Sequence, residues 1–518
     1  MNGADLLCDT LLLNGVNICF ANPGTSEMHF VAALDRKTDM RCVLGLSEAV
    51  VTGAADGYAR MADKAAATLL HCGPGLANGL SNIHNARRAR TPMVNIVGDH
   101  ATYHLELDAP LTSDIEGLAR AMSHWIGRVG HLRDIRKCTE AALLAAYATR
   151  GPSTLILPSD AAWGEVPLEN ISPIKRPEPP TVDPASLAAC VRALRGGLNT
   201  AIFLSGQAVR EKALIPAARI SAATGAQLFS TSSGRYERGA GRIAVRSVPY
   251  SIDVALNVLK EIQVAICVGS GQPVGFFAYP GKPGTLLPKG CQIIQLAGHE
   301  HDLPQVLASL AEALGLSDKA PYVANTLRQD EIADPATNAL TADTISIIVA
   351  RRLPEQAIII DESITSGGKY YALADMLPPH DLLPLTGGAI GIGIPLASGA
   401  AIAAPGRKVV ALQADGSGMY TVQGLWTQAR EKLNVLTIVY ANRAYRILQG
   451  EMTNVGVKAY GVNARRMLEL DEPRLDWCAL ARGMGVEAGR AQTALEFSRL
   501  FEAGLAANGP FLIEAVIE

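Results

Sequence analysis

The chain has 518 residues, of which 48% are hydrophobic and 18% charged, with 49 glycines and a net charge of −3 at pH 7. This length exceeds one ordinary core and fits two to four domains, while the near-neutral balance offers no basic field for a nucleic-acid backbone. No apolar run reaches the roughly 18 residues of a membrane span, and nine scattered cysteines without a CxxC pair read as free thiols of a reducing compartment.

The N-terminal MNGADLLCDTLLLNG reads as an amphipathic helix without the basic start of a secretory leader, which favours a cytoplasmic protein. Short apolar strands then alternate with helix-compatible stretches: NICFANPG, MRCVLGLS, AAATLLHCG, TPMVNIVGD and, closing a first block near Asp160, STLILPSD. Strands bounded by Gly and Pro and separated by helices imply a parallel sheet covered on both faces. Ile171 to Pro184, ISPIKRPEPPTVDP, reads as a linker. A second block follows with AIFLSG, QLFSTS, VAICVGSG and CQIIQLAG, and a polar passage leads to a third with AIIIDES, KVVALQADG, NVLTIVYAN and PFLIEAVIE. The expected fold class is α/β, three domains each built on a mostly parallel sheet flanked by helices, at 1–168, 185–330 and 345–518.

In the third block, Asp415 follows the strand-like KVVALQA and stands at the carboxyl end of a strand, where open α/β sheets place their ligands. Gly416 and Gly418 let backbone amides approach an anion, Ser417 is a donor, and the helix-compatible TVQGLWTQAREK follows. Asn442 ends the next strand, so two adjacent parallel strands would deliver a carboxylate and an amide oxygen to one hard cation such as Mg²⁺. A solvent turn at Asp415 with Asn442 capping the next element explains the same residues.

These motifs resemble the thiamine diphosphate-dependent superfamily of acetolactate synthase, pyruvate oxidase and benzoylformate decarboxylase. The family's GDG and NN pair stands here as ADG at Ala414–Gly416 and AN at Ala441–Asn442. The resemblance implies Mg²⁺ held by Asp415, Asn442 and the carbonyl of Ala444, with Gly416 and Ser417 at the diphosphate. LGLSEAVVTGAADGYAR then implies that Glu48 hydrogen-bonds N1′ of the aminopyrimidine and promotes the tautomer that takes the proton from thiazolium C2. LTGGAIGIGIP implies that Gly388 offers its carbonyl to the 4′-amino group and that Ile390 wedges the cofactor into its bent shape. DESITSGG implies a diphosphate contact at Thr365.

The resemblance further implies a pyrimidine-binding N-terminal domain, a central α/β domain and a diphosphate-binding C-terminal domain. It also implies a homodimer or homotetramer with active sites between subunits and a small 2-oxo acid substrate. ANPGTSE and LLHCGPG are similar to the benzoylformate decarboxylase pattern, which places Thr25 at the substrate carboxylate and His71 at the reacting carbonyl. That decarboxylase carries a further histidine in its central domain, where this chain has Phe276, Phe277, Ala278 and Tyr279 in GSGQPVGFFAYPGKPG. The expected activity is cleavage of a 2-oxo acid by a decarboxylase. The alternatives are an acetolactate synthase-like carboligase or 2-hydroxyacyl lyase, and an inactive cofactor-binding regulatory or structural paralogue. Gly206–Gln207 and Ser230–Arg235 offer a nucleotide-facing crevice, in which a flavin (FAD) is neither excluded nor predicted. Arg446, Leu448 and Glu451 line either a substrate entrance or plain surface.

Overall fold

The computed structural model describes residues 1–167 and 170–517, so the expected domain limits at 168 and 518 lie outside the described residues. Three sheets organise the chain, and helices flank each of them. The first contains β1 (Ile18–Asn22), β2 (Arg41–Leu44), β3 (Ala66–Leu70), β4 (Met93–Asp99), β5 (Trp125–Arg128) and β6 (Pro152–Pro158), in the order β2-β1-β3-β4-β6-β5. Every pairing in it is parallel. β3, β4 and β6 are buried along their whole length, as continuous apolar runs in a doubly covered sheet must be.

The second sheet uses β7 (Thr200–Leu204), β8 (Gln227–Ser230), β10 (Arg246–Ser247), β11 (Val264–Val268) and β12 (Gln292–Ala297), again parallel, in the order β10-β8-β7-β11-β12. The third has β13 (Ile358–Glu362), β14 (His380–Pro384), β15 (Val409–Ala414), β16 (Val435–Ala441), β17 (Glu487–Ala491) and β18 (Phe511–Val516). Its edge is closed by β9 (Tyr236–Arg238), which arrives from the central stretch and pairs antiparallel with β14. The proline-rich passage forms no helix or strand until its last residue, Pro184, where a helix begins with the Asp183 side chain accepting from the amide of Ser186 at 2.9 Å.

The first and third sheets share one core. The helix Glu48–Ala62 packs against the helix Gly393–Ala403, and Val51, Ala55, Leu396 and Ala400 belong to the same buried cluster. The two backbones come so close that a methyl group on Gly57 would collide with the carbonyl of Leu396, and one on Gly399 with that of Ala54. Both helices are rich in Ala and Gly for this reason. A helix buried on all sides needs no polar face.

Arg60, 4% exposed, pins this junction. Its guanidinium donates to Asp56 at 2.8 Å, to the carbonyls of Gly234 and Pro384 at 3.2 and 2.9 Å, and to the Thr386 hydroxyl at 3.2 Å. One side chain thus ties the first, second and third units together. Arg60→Leu leaves a buried carboxylate without its cation, and denaturant unfolding is expected to show a loss of about 3–5 kcal/mol.

Candidate active site

The functional candidates stand at the carboxyl edges of two sheets, the first and the third. At the first sheet, the loop after β1 carries Gly24 to Glu27, the loop after β2 carries Ser47 and Glu48, and the loop after β3 carries His71. Ser47 caps the Glu48 helix by accepting from the amide of Ala49 at 3.3 Å. The Glu48 carboxylate, in a residue 6% exposed, accepts a hydrogen bond from Asn78 at 3.2 Å. Asn78 lies on the next helix, Cys72–Ala89. A methyl group at Gly75 would stand 2.9 Å from Glu48 Oε1 and 3.2 Å from His71 Cβ. Glycine there leaves room for both side chains.

His71 is held by two residues that the sequence motifs did not single out. Glu27, 3% exposed, accepts from His71 Nδ1 at 2.9 Å, from the backbone of Gly24 at 2.8 Å and from the Ser26 hydroxyl at 2.6 Å. A carboxylate that accepts at Nδ1 fixes hydrogen there and leaves Nε2 free for a ligand. Thr25, the expected substrate contact, is exposed and makes no side-chain hydrogen bond among the described residues, whereas the Ser26 hydroxyl also lies 3.1 Å from Nδ1. Cys72 closes the group with its sulfur 3.1 Å from that hydroxyl. Burial pushes its thiol up to about 11, which favours the neutral form. Glu27→Gln frees the imidazole from one tautomer. The expected result is a fall in kcat of about 10²-fold with KM little changed, measured by steady-state kinetics.

At the third sheet, β15 and β16 run side by side with Ala414 opposite Tyr440, which brings Asp415 and Asn442 to one edge. Asp415, 3% exposed, accepts from the amides of Gly416 at 2.8 Å and Arg443 at 2.6 Å. Burial pushes its carboxyl above the ordinary range, and those amides pull the other way. The Asn442 side-chain oxygen accepts from the amide of Ala444 at 3.0 Å. Arg443 sits between them at φ +58°, a left-handed conformation that costs a non-glycine residue about 1–2 kcal/mol. Cys72 at φ +49° and Ile364 at φ +55° carry the same strain, and all three border the candidate residues. Ala414 has φ −75° and ψ 145°, so the family's glycine is not needed for its backbone.

Gly388 does require glycine, at φ +78°, and a methyl group there would stand 2.8 Å from the Phe276 ring. Its loop is clamped to the Cys72 helix. Asn85 donates to the carbonyl of Ala389 at 2.7 Å and accepts from the amide of Gly387 at 3.1 Å, while His84 donates to the carbonyl of Gly387 at 3.0 Å. Ile390 is half-buried in this loop, and Thr365 is exposed in the loop after β13. The helix expected over TVQGLWTQAREK forms as Gly424–Arg430, and a break separates it from the short turns Asp415–Gly418 and Met419–Thr421. The break keeps Gly416 and Ser417 in a tight turn beside Asp415.

The central unit leans over this edge. Phe276 touches Phe277 and Tyr250, with ring centroids 4.8 and 5.5 Å away. The Tyr279 hydroxyl donates to Glu451 at 2.7 Å, joining the central loop to the helix Arg446–Asn454. Gly206, Gln207, Ser233 and Arg235 line a separate cavity of about 520 Å³ with Arg150 and His299.

The donor set fits a magnesium diphosphate. Asp415, Asn442 and the Ala444 carbonyl are all hard oxygen donors at the ends of two adjacent strands, and a cation there would offset the cost of burying the Asp415 charge. The described residues of this edge place no thiol or imidazole beside Asp415.

Comparison with known proteins finds thiamine pyrophosphate enzyme domains at both ends of the chain. The family described as "Thiamine pyrophosphate enzyme, N-terminal TPP binding domain" matches residues 1–123, and its C-terminal TPP binding counterpart matches 367–515. The chain is 45% identical, over 100% of its own length and 99% of the relative's, to a Mycobacterium tuberculosis protein named "Putative acetolactate synthase large subunit IlvX". It is 28% identical to benzoylformate decarboxylase of Pseudomonas aeruginosa, over 98% of this chain and 97% of that protein. The solved structure of a thiamine diphosphate-dependent 4-hydroxybenzoylformate decarboxylase from Rhodococcus jostii superposes with a TM-score of 0.84. That match covers 100% of this chain and 99% of the other at 23% identity, a likeness of fold.

Proposed function

Because the chain belongs to the thiamine pyrophosphate (thiamine diphosphate) enzymes that process 2-oxo acids, we propose that it is a carboligase of the acetolactate synthase type. On this reading it joins the acyl unit of one 2-oxo acid, after loss of CO₂, to a second carbonyl compound. The observation that carries the reading is the loop at 269–284. It stands over Gly388 through Phe276 and contains no histidine, so it presents apolar rings where the decarboxylase pattern has an imidazole. Without that proton donor, capture by a carbonyl acceptor competes well against protonation to an aldehyde. The 45% identity to the acetolactate synthase-named relative supports the same choice.

The bound cofactor supplies the electron sink that side chains lack. In this chain, Glu48 would hold the proton at N1′, Gly388 would orient the 4′-amino group and Ile390 would set the bend. Asp415, Asn442 and Ala444 would hold Mg²⁺, while Gly416, Ser417 and Thr365 would take the diphosphate. His71, steered by Glu27, would move a proton at the substrate carbonyl, and Thr25 with Ser26 would face its carboxylate. Glu48 lies against Asn78, whereas the Gly388 loop is held by Asn85, about 10 Å farther along the same helix. On the family's pattern, the proposed site pairs the first-sheet edge of one copy with the third-sheet edge of another, in a homodimer or homotetramer.

A decarboxylase is the second reading, favoured by the Glu27–His71 pair beside Glu48. Product analysis separates the two. With thiamine diphosphate, Mg²⁺ and pyruvate, benzoylformate or a longer 2-oxo acid, the carboligase gives mainly a hydroxyketone, and aldehyde as the sole product would sink it.

A further inference from the structure

We propose that Glu362 and Gln413 are positioning residues that fasten the Gly388–Gly393 loop to the Asp415–Ser417 turn and so set the spacing between the two ends of the cofactor. The proposal rests on the reading above. Glu362 ends β13 and Gln413 lies opposite it on β15, so both side chains project from neighbouring positions of the same edge. Both are sealed from solvent, Glu362 at 1% exposure and Gln413 at 0%.

One carboxylate gathers the start of the buried helix. Glu362 Oε1 accepts from the amides of Gly391 at 2.6 Å and Ile392 at 3.2 Å, and Oε2 accepts from that of Gly393 at 2.7 Å. The helix Gly393–Ala403 has no side-chain cap of its own and no acid in its first turn. Glu362 thus provides the cap from 31 positions away. These amides directly follow Gly388 and Ile390, so fixing them fixes the loop expected to grip the pyrimidine.

Gln413 carries the link onward. Both oxygens of Glu362 already accept backbone amides, so the amide group facing it presents its NH₂, at 2.9 Å. The same nitrogen lies 2.7 Å from the Ser417 hydroxyl, in the turn that follows Asp415. The Gln413 oxygen is buried without a partner among the described residues. An apolar side chain of this size would leave no such orphan, so packing alone does not account for an amide here. What the amide contributes is a donor that reaches Glu362 and Ser417 together. Gly393 completes the fit, because any side chain there would collide with the Gln413 amide and stand 2.9 Å from Glu362 Oε2.

The test uses a ligand that reaches only one end. Mg²⁺ with inorganic pyrophosphate is added to the full-length protein free of thiamine diphosphate, binding is followed by calorimetry, and backbone hydrogen exchange is measured across 388–394. Binding at the Asp415 turn is expected to slow exchange of the Gly391–Gly393 amides by about threefold or more. Gln413→Met keeps the volume and leaves the Glu362 cap in place, so it should bind pyrophosphate normally and lose the slowing. Glu362→Gln should exchange these amides faster even without ligand. Slowing that persists in Gln413→Met, or binding without slowing in the wild type, overturns the link while the metal turn stands. Absence of Mg²⁺-pyrophosphate binding in the wild type overturns the turn assignment itself.

Discussion

Glu48→Gln is expected to lower kcat by about 10²–10⁴-fold, the range for removal of an acid–base group, while fold, assembly and cofactor affinity stay as they were. The substitution conserves volume, so the space left by Gly75 still accommodates it, and the glutamine oxygen still accepts from Asn78. What disappears is the carboxylate proposed to stabilise a proton on the pyrimidine. Steady-state kinetics with saturating cofactor, together with calorimetry and sedimentation, distinguish this from unfolding. Turnover that matches the wild type on an authentic substrate would remove Glu48 from the mechanism.

Asp415→Ala should have the second large effect, on binding. Even groups that only orient a metal ligand cost 10–100-fold in affinity when removed, so loss of the ligand itself is expected to weaken Mg²⁺-dependent binding of thiamine diphosphate by at least about 10²-fold. The alanine also deprives the Arg443 amide of its acceptor and loosens the left-handed turn that carries Asn442 and Ala444. Asp415→Asn separates these contributions, since it retains an acceptor oxygen for the turn but removes the charge that would face the cation. Calorimetry at fixed Mg²⁺ should show both variants impaired, with alanine the worse. Unchanged affinity in the alanine variant would dismiss the metal assignment.

Most of the fold was legible because its strands are apolar runs closed by Gly or Pro, as in NICFANPG and TPMVNIVGD. β14 was not. It begins His380-Asp381 and ends at Pro384, and its Asp381 is tolerated at 3% exposure only because Arg235 and Arg407 pair with it at 2.6 and 2.7 Å. Arg235 lies 146 positions away, beyond any local pattern. β9 was hidden for the same reason, since a three-residue strand from the central stretch gains its meaning from the edge of β14.

The candidate site divides along the same line. Asp415 and Asn442 could be read from two successive strands because adjacent parallel strands bring their ends together. Glu27 and Glu362 escaped, since their partners lie 44 and 51 positions away in His71 and Gln413. For Glu27 a local signal existed: an acid three residues after Gly24, at the start of a helical turn, is the spacing of a reciprocal cap. Ala414 stands where the family's motif has glycine, and its extended backbone at φ −75° needs none.

The central claim is that Glu48 of one copy and Asp415 of another serve a single site. Co-expressing Glu48→Gln and Asp415→Ala chains, each inactive alone, tests it most directly. In mixed two-fold dimers one of the two sites would receive both intact residues, so activity should return to about a quarter of the wild-type value. A mixed preparation that assembles, binds cofactor at its intact turns and stays inactive would contradict the account.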